Sequence, residues 1–170
     1  MEEVDLLAFE KELYKEGITL IAGVDEVGRG PLCGPVVACA CILPKNYSLE
    51  GLNDSKKLSE KKRDKLYEIL IKDTSYGIGI VSPQRIDEIN ILEASKEAMK
   101  IALSNLSKKP EHVLIDAVKL DIDIPSTSII KGDAKSLSIA AASVIAKVTR
   151  DRMMYDLDKI YPEYGYASHK

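Results

Sequence analysis

Two adjacent carboxylates, Asp25 and Glu26, stand between a short apolar segment, residues 18–22, and a glycine-rich stretch. The apolar segment is β-branched and typical of a strand. A carboxylate that is buried without a partner is costly, so this pair needs a cation, a proton or a strong hydrogen-bond donor nearby. Adjacent strand residues face opposite ways, and the two acids can share one site only if the chain leaves regular strand geometry. The alternative is an ordinary solvated turn.

The glycine-rich stretch could bind an anion. Gly28 and Gly30 allow the backbone to approach a ligand more closely than residues with side chains do. Arg29 lies between them and carries a planar set of donors that matches a phosphate group. Acids for a metal, exposed amides and an arginine together indicate phosphoryl chemistry, whereas a Gly-Arg-Gly sequence alone is common.

Two more carboxylates end short apolar segments. Asp116 ends the segment 112–116, and Asp133 ends the segment 127–133. Neighbouring strand ends meet at one edge of an open α/β sheet, where ligands gather. Four carboxylates at that edge would repel one another unless cations neutralise them, and oxygen ligands without histidine or cysteine favour Mg²⁺ or Mn²⁺. Two such ions would form a clamp for in-line phosphoryl transfer.

Alternating strand and helix patterns surround these acids. Ser59 and Asn90 are predicted helix N-caps, although Asn90 could instead reach a ligand. Ser82-Pro83 is predicted to start a short helix, because proline suits the first helical position. The first two strands are close enough in sequence to pair as an antiparallel hairpin. The alternation predicts an α/β sheet covered by helices. The predicted strands are 18–22, 35–44, 77–81, 112–116 and 127–133, and the predicted helices are 4–14, segments starting at 59 and 82, 90–103 and, with or without a break, 134–160.

Composition bounds the class of protein. The chain of 170 residues suits one compact domain over residues 1–170. No apolar segment is long enough to span a membrane, and the acidic N-terminus is unlike a secretory signal. The three cysteines have no zinc-like spacing, and Cys39 and Cys41 are predicted to be buried in a reduced, cytoplasmic protein.

The net charge of −3 gives no argument for nucleic-acid binding by the whole molecule. A local basic cluster is the exception. It is either a solvated helix face or a surface for a nucleic-acid backbone. The cluster consists of Lys56, Lys57, Lys61, Lys62, Arg63 and Lys65.

Five motifs, in order along the chain, resemble those of bacterial ribonuclease HII. The resemblance implies a ribonuclease H-like fold, with a mixed sheet of about five strands flanked by helices. It also implies a metal-dependent endonuclease that cuts the RNA strand of RNA–DNA hybrids. The implied enzyme further cuts 5′ of a single ribonucleotide in duplex DNA, leaving 3′-hydroxyl and 5′-phosphate ends. The motifs are Gly-Val-Asp-Glu-Val-Gly-Arg-Gly-Pro-Leu-Cys-Gly-Pro-Val-Val, Asn-Asp-Ser-Lys-Lys-Leu, Val-Leu-Ile-Asp, Lys-Gly-Asp and Ala-Ala-Ser-Val-Ile-Ala-Lys-Val-Thr-Arg-Asp.

By this resemblance, four acids match the metal ligands of the family and would hold two Mg²⁺ or Mn²⁺ ions. One ion would activate a water and the other would stabilise the departing 3′-oxygen. The Gly28–Arg29–Gly30 segment matches the loop that reads the ribose 2′-hydroxyl and the neighbouring phosphates. The four acids are Asp25, Glu26, Asp116 and Asp133.

Four further residues lie in matching motifs and could contact phosphates: Lys56, Ser143, Lys147 and Arg150. Ser143 could instead simply pack within its alanine-rich helix, and Arg150 could form an internal salt bridge with Asp151. His169 also lies in a family motif, and a structural role suits it equally well.

The chain ends at Lys170, where family members typically continue with Gly-Tyr and a mostly helical segment. The tyrosine of that continuation helps to select the RNA-to-DNA junction in the family. A truncated monomer with an exposed apolar patch is therefore expected. Two other functions stay open: a metal-binding module that recognises hybrids with little turnover, and another Mg²⁺-dependent phosphoryl-transfer enzyme that acts on small phosphates.

Overall fold

The computed structural model describes residues 5–28 and 34–160, and for residues 54–56 and 158–160 it describes the backbone alone. Strands and helices alternate along these ranges. Two short 3₁₀ helices, Leu52–Lys57 and Gly132–Ala134, precede α2 and α5 respectively. The main elements are α1 Ala8–Lys15, β1 Ile21–Val27, β2 Val36–Ile42, α2 Glu60–Asp73, β3 Ser75–Val81, α3 Pro83–Ile89, α4 Ile91–Ser104, β4 His112–Asp116, β5 Ser126–Ile129 and α5 Leu137–Ile160.

The strands form one mixed sheet in the order β3-β2-β1-β4-β5. The pairs β1–β2 and β2–β3 are antiparallel, whereas β1–β4 and β4–β5 are parallel. This arrangement confirms the predicted mixed five-stranded sheet and its first hairpin. Because β1, β4 and β5 run in the same direction, their carboxyl ends lie at the same edge of the sheet.

The two faces of the sheet are covered by different helices. On one face, Val24 belongs to the same core as Met99 of α4. On the other face, Cys39 and Cys41 belong to a core with Ala141 of α5. Both cysteines are fully buried and unbridged, as predicted. Each helix of the described ranges is too short or too polar to cross a membrane.

Glycines let both covering helices approach the sheet closely. A Cβ added to Gly23 of β1 would collide with the backbone of Ser138 in the first turn of α5. A Cβ added to Gly79 of β3 would collide with the carbonyl oxygen of Ala98 in α4. The first turn of α5 is therefore seated directly on β1, two residues before Asp25.

The predicted caps Ser59 and Asn90 and the predicted helix start at Ser82-Pro83 are confirmed. Ser59, Ser82 and Asn90 each accept a hydrogen bond from the backbone N–H three residues further on, at 3.2, 3.2 and 3.0 Å. The Asn90 side chain is thus used as a cap, at a residue whose φ of 76° separates α3 from α4. The structure therefore favours capping over the ligand role that the sequence left open for Asn90.

Two predicted strands have different bounds in the structure. The first strand was expected to end before the acids, yet β1 continues through Asp25 and Glu26, because its ladder with β2 runs on to the pair Val27–Val37. The last strand was expected to reach Asp133, but β5 ends at Ile129. Lys131 adopts a left-handed conformation with a φ of 55°, which ends the extended backbone.

The helices also differ from expectation at their ends. The first helix was predicted over 4–14 and begins at Ala8 in the structure. The last helix was predicted from residue 134, but the 3₁₀ helix Gly132–Ala134 occupies that position and α5 begins at Leu137. It then runs without a break to Ile160.

Candidate active site

Asp25 lies near the carboxyl end of the central strand β1, and its side chain is only 6% exposed. Its Oδ1 accepts a hydrogen bond of 2.8 Å from the backbone N–H of Glu26. Asp25 belongs to the same face of the sheet as Cys39, its partner in the β2 register, and this is the face that α5 covers. A buried acid therefore lies beneath the long helix.

A short hydrogen bond joins Asp116 to the turn that carries Asp133. Asp116 ends β4, and its Oδ1 accepts from the backbone N–H of Gly132 at 2.6 Å. Asp133 follows directly in the 3₁₀ helix and is 7% exposed. Asp116 therefore holds the turn that carries Asp133, although Asp133 does not end a strand as the sequence predicted.

The charges of the other three acids act on Asp25. Burial raises the pKa of Asp25 well above its usual range, and the charge of Asp116 raises that pKa further. The charges of Glu26 and Asp133 act in the same direction, against the lowering effect of the hydrogen bond from the Glu26 N–H. The structure thus places Asp25 within electrostatic reach of the other three predicted acids at the carboxyl edge of the sheet.

This donor set fits a hard divalent cation. Asp25, Asp116 and Asp133 offer carboxylate oxygens, and a cation would relieve the repulsion on Asp25. The ladder between β1 and β2 is regular through Val27, so the Cα–Cβ bond of Glu26 points to the opposite face of the sheet from that of Asp25. Among the described residues, no three acid, histidine or cysteine side chains lie close enough together to hold a metal ion. Mg²⁺ does not need such a group, because it is usually bound by one or two carboxylates together with waters and substrate phosphates.

Arg150 braces the two ends of the glycine-rich stretch from inside the protein. It is 1% exposed, and its Nε donates to the carbonyl oxygen of Pro35 at 2.9 Å. A Cβ added to Gly28, whose φ is 104°, would lie 2.6 Å from that oxygen and 2.8 Å from the Arg150 Nε. A Cβ added to Gly34 would lie 3.0 Å from Arg150 Nη2. Glycine is therefore required at residues 28 and 34, because a side chain at either position would collide with Arg150.

The other predicted phosphate contacts lie on α5 or outside the described residues. Ser143 and Lys147 are half-buried and one helical turn apart. Lys147 Nζ forms an ion pair of 3.0 Å with Asp151, and Arg63 of α2 lies 3.7 Å from the same carboxylate. Three predicted site residues, Arg29, Gly30 and His169, lie outside the described residues, as does the side chain of Lys56. Their predicted roles stay predictions.

The raised pKa of Asp25 predicts how stability depends on pH. In the folded chain Asp25 holds its proton to higher pH than in the unfolded chain, so the free energy of unfolding falls as pH rises from the unfolded pKa towards the folded one. Thermal unfolding from pH 4.5 to pH 8 in EDTA should therefore show the unmodified chain losing stability relative to Asp25→Asn. We expect the variant to be more stable by about 1 kcal/mol, or roughly 2–4 °C in Tm, at the upper end. Melting curves of the two chains that shift in parallel with pH would contradict this prediction.

The sheet order and the acids at its carboxyl edge define a ribonuclease H-like protein. The ribonuclease H2 of Pyrococcus horikoshii OT3 has this fold, with a TM-score of 0.75 and 34% identity over 85% of this chain and 78% of that one. The family model described as Ribonuclease HII matches residues 22–170. The chain belongs to the ribonuclease HII family.

Two curated relatives, both called Ribonuclease HII, extend this comparison. The protein of Bacillus cytotoxicus is 62% identical over 98% of this chain. The protein of Bacillus cereus strain B4264 is 60% identical over 97% of it. The chain spans 64% and 65% of the lengths of these two relatives.

Proposed function

We propose that this chain is a divalent-metal-dependent endonuclease that hydrolyses the RNA strand of RNA–DNA hybrids. We further propose that it cuts 5′ of single ribonucleotides in duplex DNA and leaves 3′-hydroxyl and 5′-phosphate ends. The observation that carries the proposal is the position of Asp25, which is buried and surrounded by the charges of three further acids. Membership of the ribonuclease HII family supports the choice of substrate.

The acids have distinct proposed tasks. Asp25 and Glu26 would hold the ions from the central strand, Asp116 from the neighbouring strand and Asp133 from the 3₁₀ turn. When bound, two Mg²⁺ or Mn²⁺ ions would supply an activated water and stabilise the leaving oxygen. Asp116 can offer Oδ2 to such a site while its Oδ1 keeps the hydrogen bond from Gly132.

The glycine-rich stretch is proposed to select the ribonucleotide. Its backbone groups could both donate to and accept from a 2′-hydroxyl, the group that distinguishes RNA from DNA. Gly28 supports this role, because its left-handed φ and its contact with Arg150 fix where the stretch leaves β1. Arg29 and Gly30 belong to the same proposal through the family motif.

A gel cleavage assay tests the proposal. Three duplexes of one sequence would be compared in Mg²⁺ and in Mn²⁺: one with a single ribonucleotide, one RNA–DNA hybrid and one of DNA alone. We expect cutting of the first two and none of the third. A single cut 5′ of the lone ribonucleotide, with a 3′-hydroxyl on the upstream product, would support both parts of the proposal.

Other outcomes of this assay separate the alternatives. Cleavage of the hybrid alone would limit the activity to the first part of the proposal. Binding of the hybrid in Ca²⁺ without cleavage in Mg²⁺ or Mn²⁺ would instead show a binding core without turnover. Hydrolysis of a chromogenic phosphoester, with neither nucleic acid cut, would favour an enzyme of small phosphates.

Affinity for duplex substrate should fall steeply with salt. Lysines that contact phosphates release counterions, so log K falls linearly with log salt concentration. Lys61 and Lys62 are exposed on α2. We expect Lys61→Gln and Lys62→Gln each to reduce the slope of log K against log salt by about one. The matched control is Lys108→Gln, which lies outside the basic cluster; an equal change in this control would remove the cluster from the binding surface.

The buried position of Arg150 makes a different prediction for Arg150→Gln. We propose that Arg150 positions the glycine-rich stretch through Pro35 rather than contacting a phosphate. The variant should therefore bind duplex more weakly at every salt concentration, with an unchanged slope of log K against log salt. Fluorescence anisotropy between about 50 and 200 mM salt measures both quantities. A slope reduced by about one would instead assign Arg150 to phosphate contact.

A further inference from the structure

Glu10 is a buried acid outside the cluster of four. It lies on α1, a helix that the sequence assigns to packing, yet its side chain is only 1% exposed. An acid is rarely buried so completely unless it is paired or hydrogen-bonded. The amphipathic pattern of α1 gave no sign of this role, because the partners of Glu10 lie more than 120 residues further along the chain.

Three donors meet at one oxygen of Glu10. Its Oε2 accepts from Ser136 Oγ at 3.0 Å, from Ser138 N at 3.1 Å and from Ser138 Oγ at 2.8 Å. Ser136 precedes α5, and its Oγ also accepts from the backbone N–H of Ile139 at 3.2 Å, as an N-cap does. Glu10 thus connects α1 to the cap and the first turn of the long helix.

The same serine connects Glu10 to the proposed metal ligands. The backbone N–H of Ser136 donates to the carbonyl oxygen of Gly132 at 2.7 Å. The backbone N–H of Gly132 donates to Asp116 Oδ1 at 2.6 Å. A chain of hydrogen bonds therefore runs from Glu10 through the turn that carries Asp133 and ends on Asp116.

We propose that Glu10 is a positioning residue for Asp133 and Asp116, an inference that rests on the proposed function of these acids as metal ligands. Metal affinity depends on groups that orient the ligands, and loss of such a group typically costs 10–100-fold. Glu10 holds Ser136, Ser136 holds Gly132, and Gly132 fixes both the Asp133 backbone and one oxygen of Asp116. Without Glu10, the turn Gly132–Ala134 loses its anchor on α1.

The test compares Glu10→Ala and Glu10→Gln with a control on the same helix, Leu13→Ala. Leu13 packs against the core formed by Ile21, Leu114, Ile129 and Ile139 and takes no part in the hydrogen-bond chain. Two quantities are measured for each chain. The first is the Kd for Mn²⁺, by calorimetric titration, and the second is amide hydrogen exchange at Gly132 and Ser136, by NMR. Tm values establish how far each variant is destabilised.

We expect Glu10→Ala to raise the Kd for Mn²⁺ about tenfold and to accelerate exchange at both amides. Glu10→Gln, which keeps one acceptor oxygen, should restore part of each loss. Leu13→Ala should lower Tm while leaving the Kd within about twofold of the unmodified chain, well below the loss of a ligand-orienting group. Equal effects of Glu10→Ala and Leu13→Ala on both quantities would overturn the positioning role. If the unmodified chain binds no Mn²⁺, the proposed metal site fails, and amide exchange alone then decides whether Glu10 holds the turn.

Discussion

Asp116→Asn should lower cleavage of a ribonucleotide-containing duplex by more than about 100-fold, because loss of a proposed ligand exceeds the usual cost of losing a group that only orients one. The change removes a charge from the site and almost no volume. The asparagine carbonyl can still accept the hydrogen bond that Gly132 now donates to Asp116 Oδ1. The fold and much of the substrate binding should therefore remain, and the loss should fall on the cleavage rate.

Single-turnover cleavage, Tm and duplex affinity, each measured for the same variant, check this expectation. Asp123→Asn is a matched control, because Asp123 is exposed in the segment after β4 and outside the acidic cluster. It should cleave like the unmodified chain. Turnover by Asp116→Asn at the rate of the unmodified chain would remove Asp116 from the site. Unfolding of that variant would show that the charge at Asp116 serves stability.

Gly23→Ala should have the largest effect on stability. The new methyl group would collide with the backbone of Ser138 and Ile139, so the first turn of α5 would have to move away from β1. Backbone cannot rotate aside as a side chain can, and we expect a loss of about 3 kcal/mol in the free energy of unfolding. The corresponding fall in Tm is roughly 6–12 °C.

Gly17→Ala separates this collision from the general cost of replacing glycine. Gly17 has a φ of 84°, and no atom lies within 4 Å of a Cβ added there. Its replacement should cost only the backbone strain of a left-handed residue, about 1–2 kcal/mol. Chemical denaturation of both variants measures the difference. A loss at Gly23 no greater than that at Gly17 would mean that α5 shifts easily on the sheet.

Much of the fold follows from local sequence patterns. Short apolar segments between turn residues predict the strands, and the cap residues Ser59, Ser82 and Asn90 mark helix starts, as the structure confirms. The bounds of β1 could not be predicted, because the ladder with β2 extends that strand through two charged residues. The apolar pattern of a single segment carries no information about how far its partner strand reaches.

The four acids were predicted as site residues from the sequence, because carboxylates that close apolar segments are costly to bury without a cation. Their arrangement depends on tertiary structure. Asp133 reaches the other acids from a 3₁₀ turn after a left-handed residue, although the sequence indicated a strand end. That turn is held by a hydrogen bond to Asp116, 16 residues earlier in the chain.

The sequence by itself determined which residues are proposed to do the chemistry: four acids, a glycine-rich stretch and a basic cluster. Only the tertiary structure decided which polar residues support them from inside. Arg150 lies in a matching motif, yet its guanidinium is buried against Pro35, 115 residues away. Glu10 lies in an ordinary amphipathic helix, yet it anchors the turn of Asp133. Burial and hydrogen bonding of this kind depend on contacts between distant segments, and these form only when the helices close over the sheet.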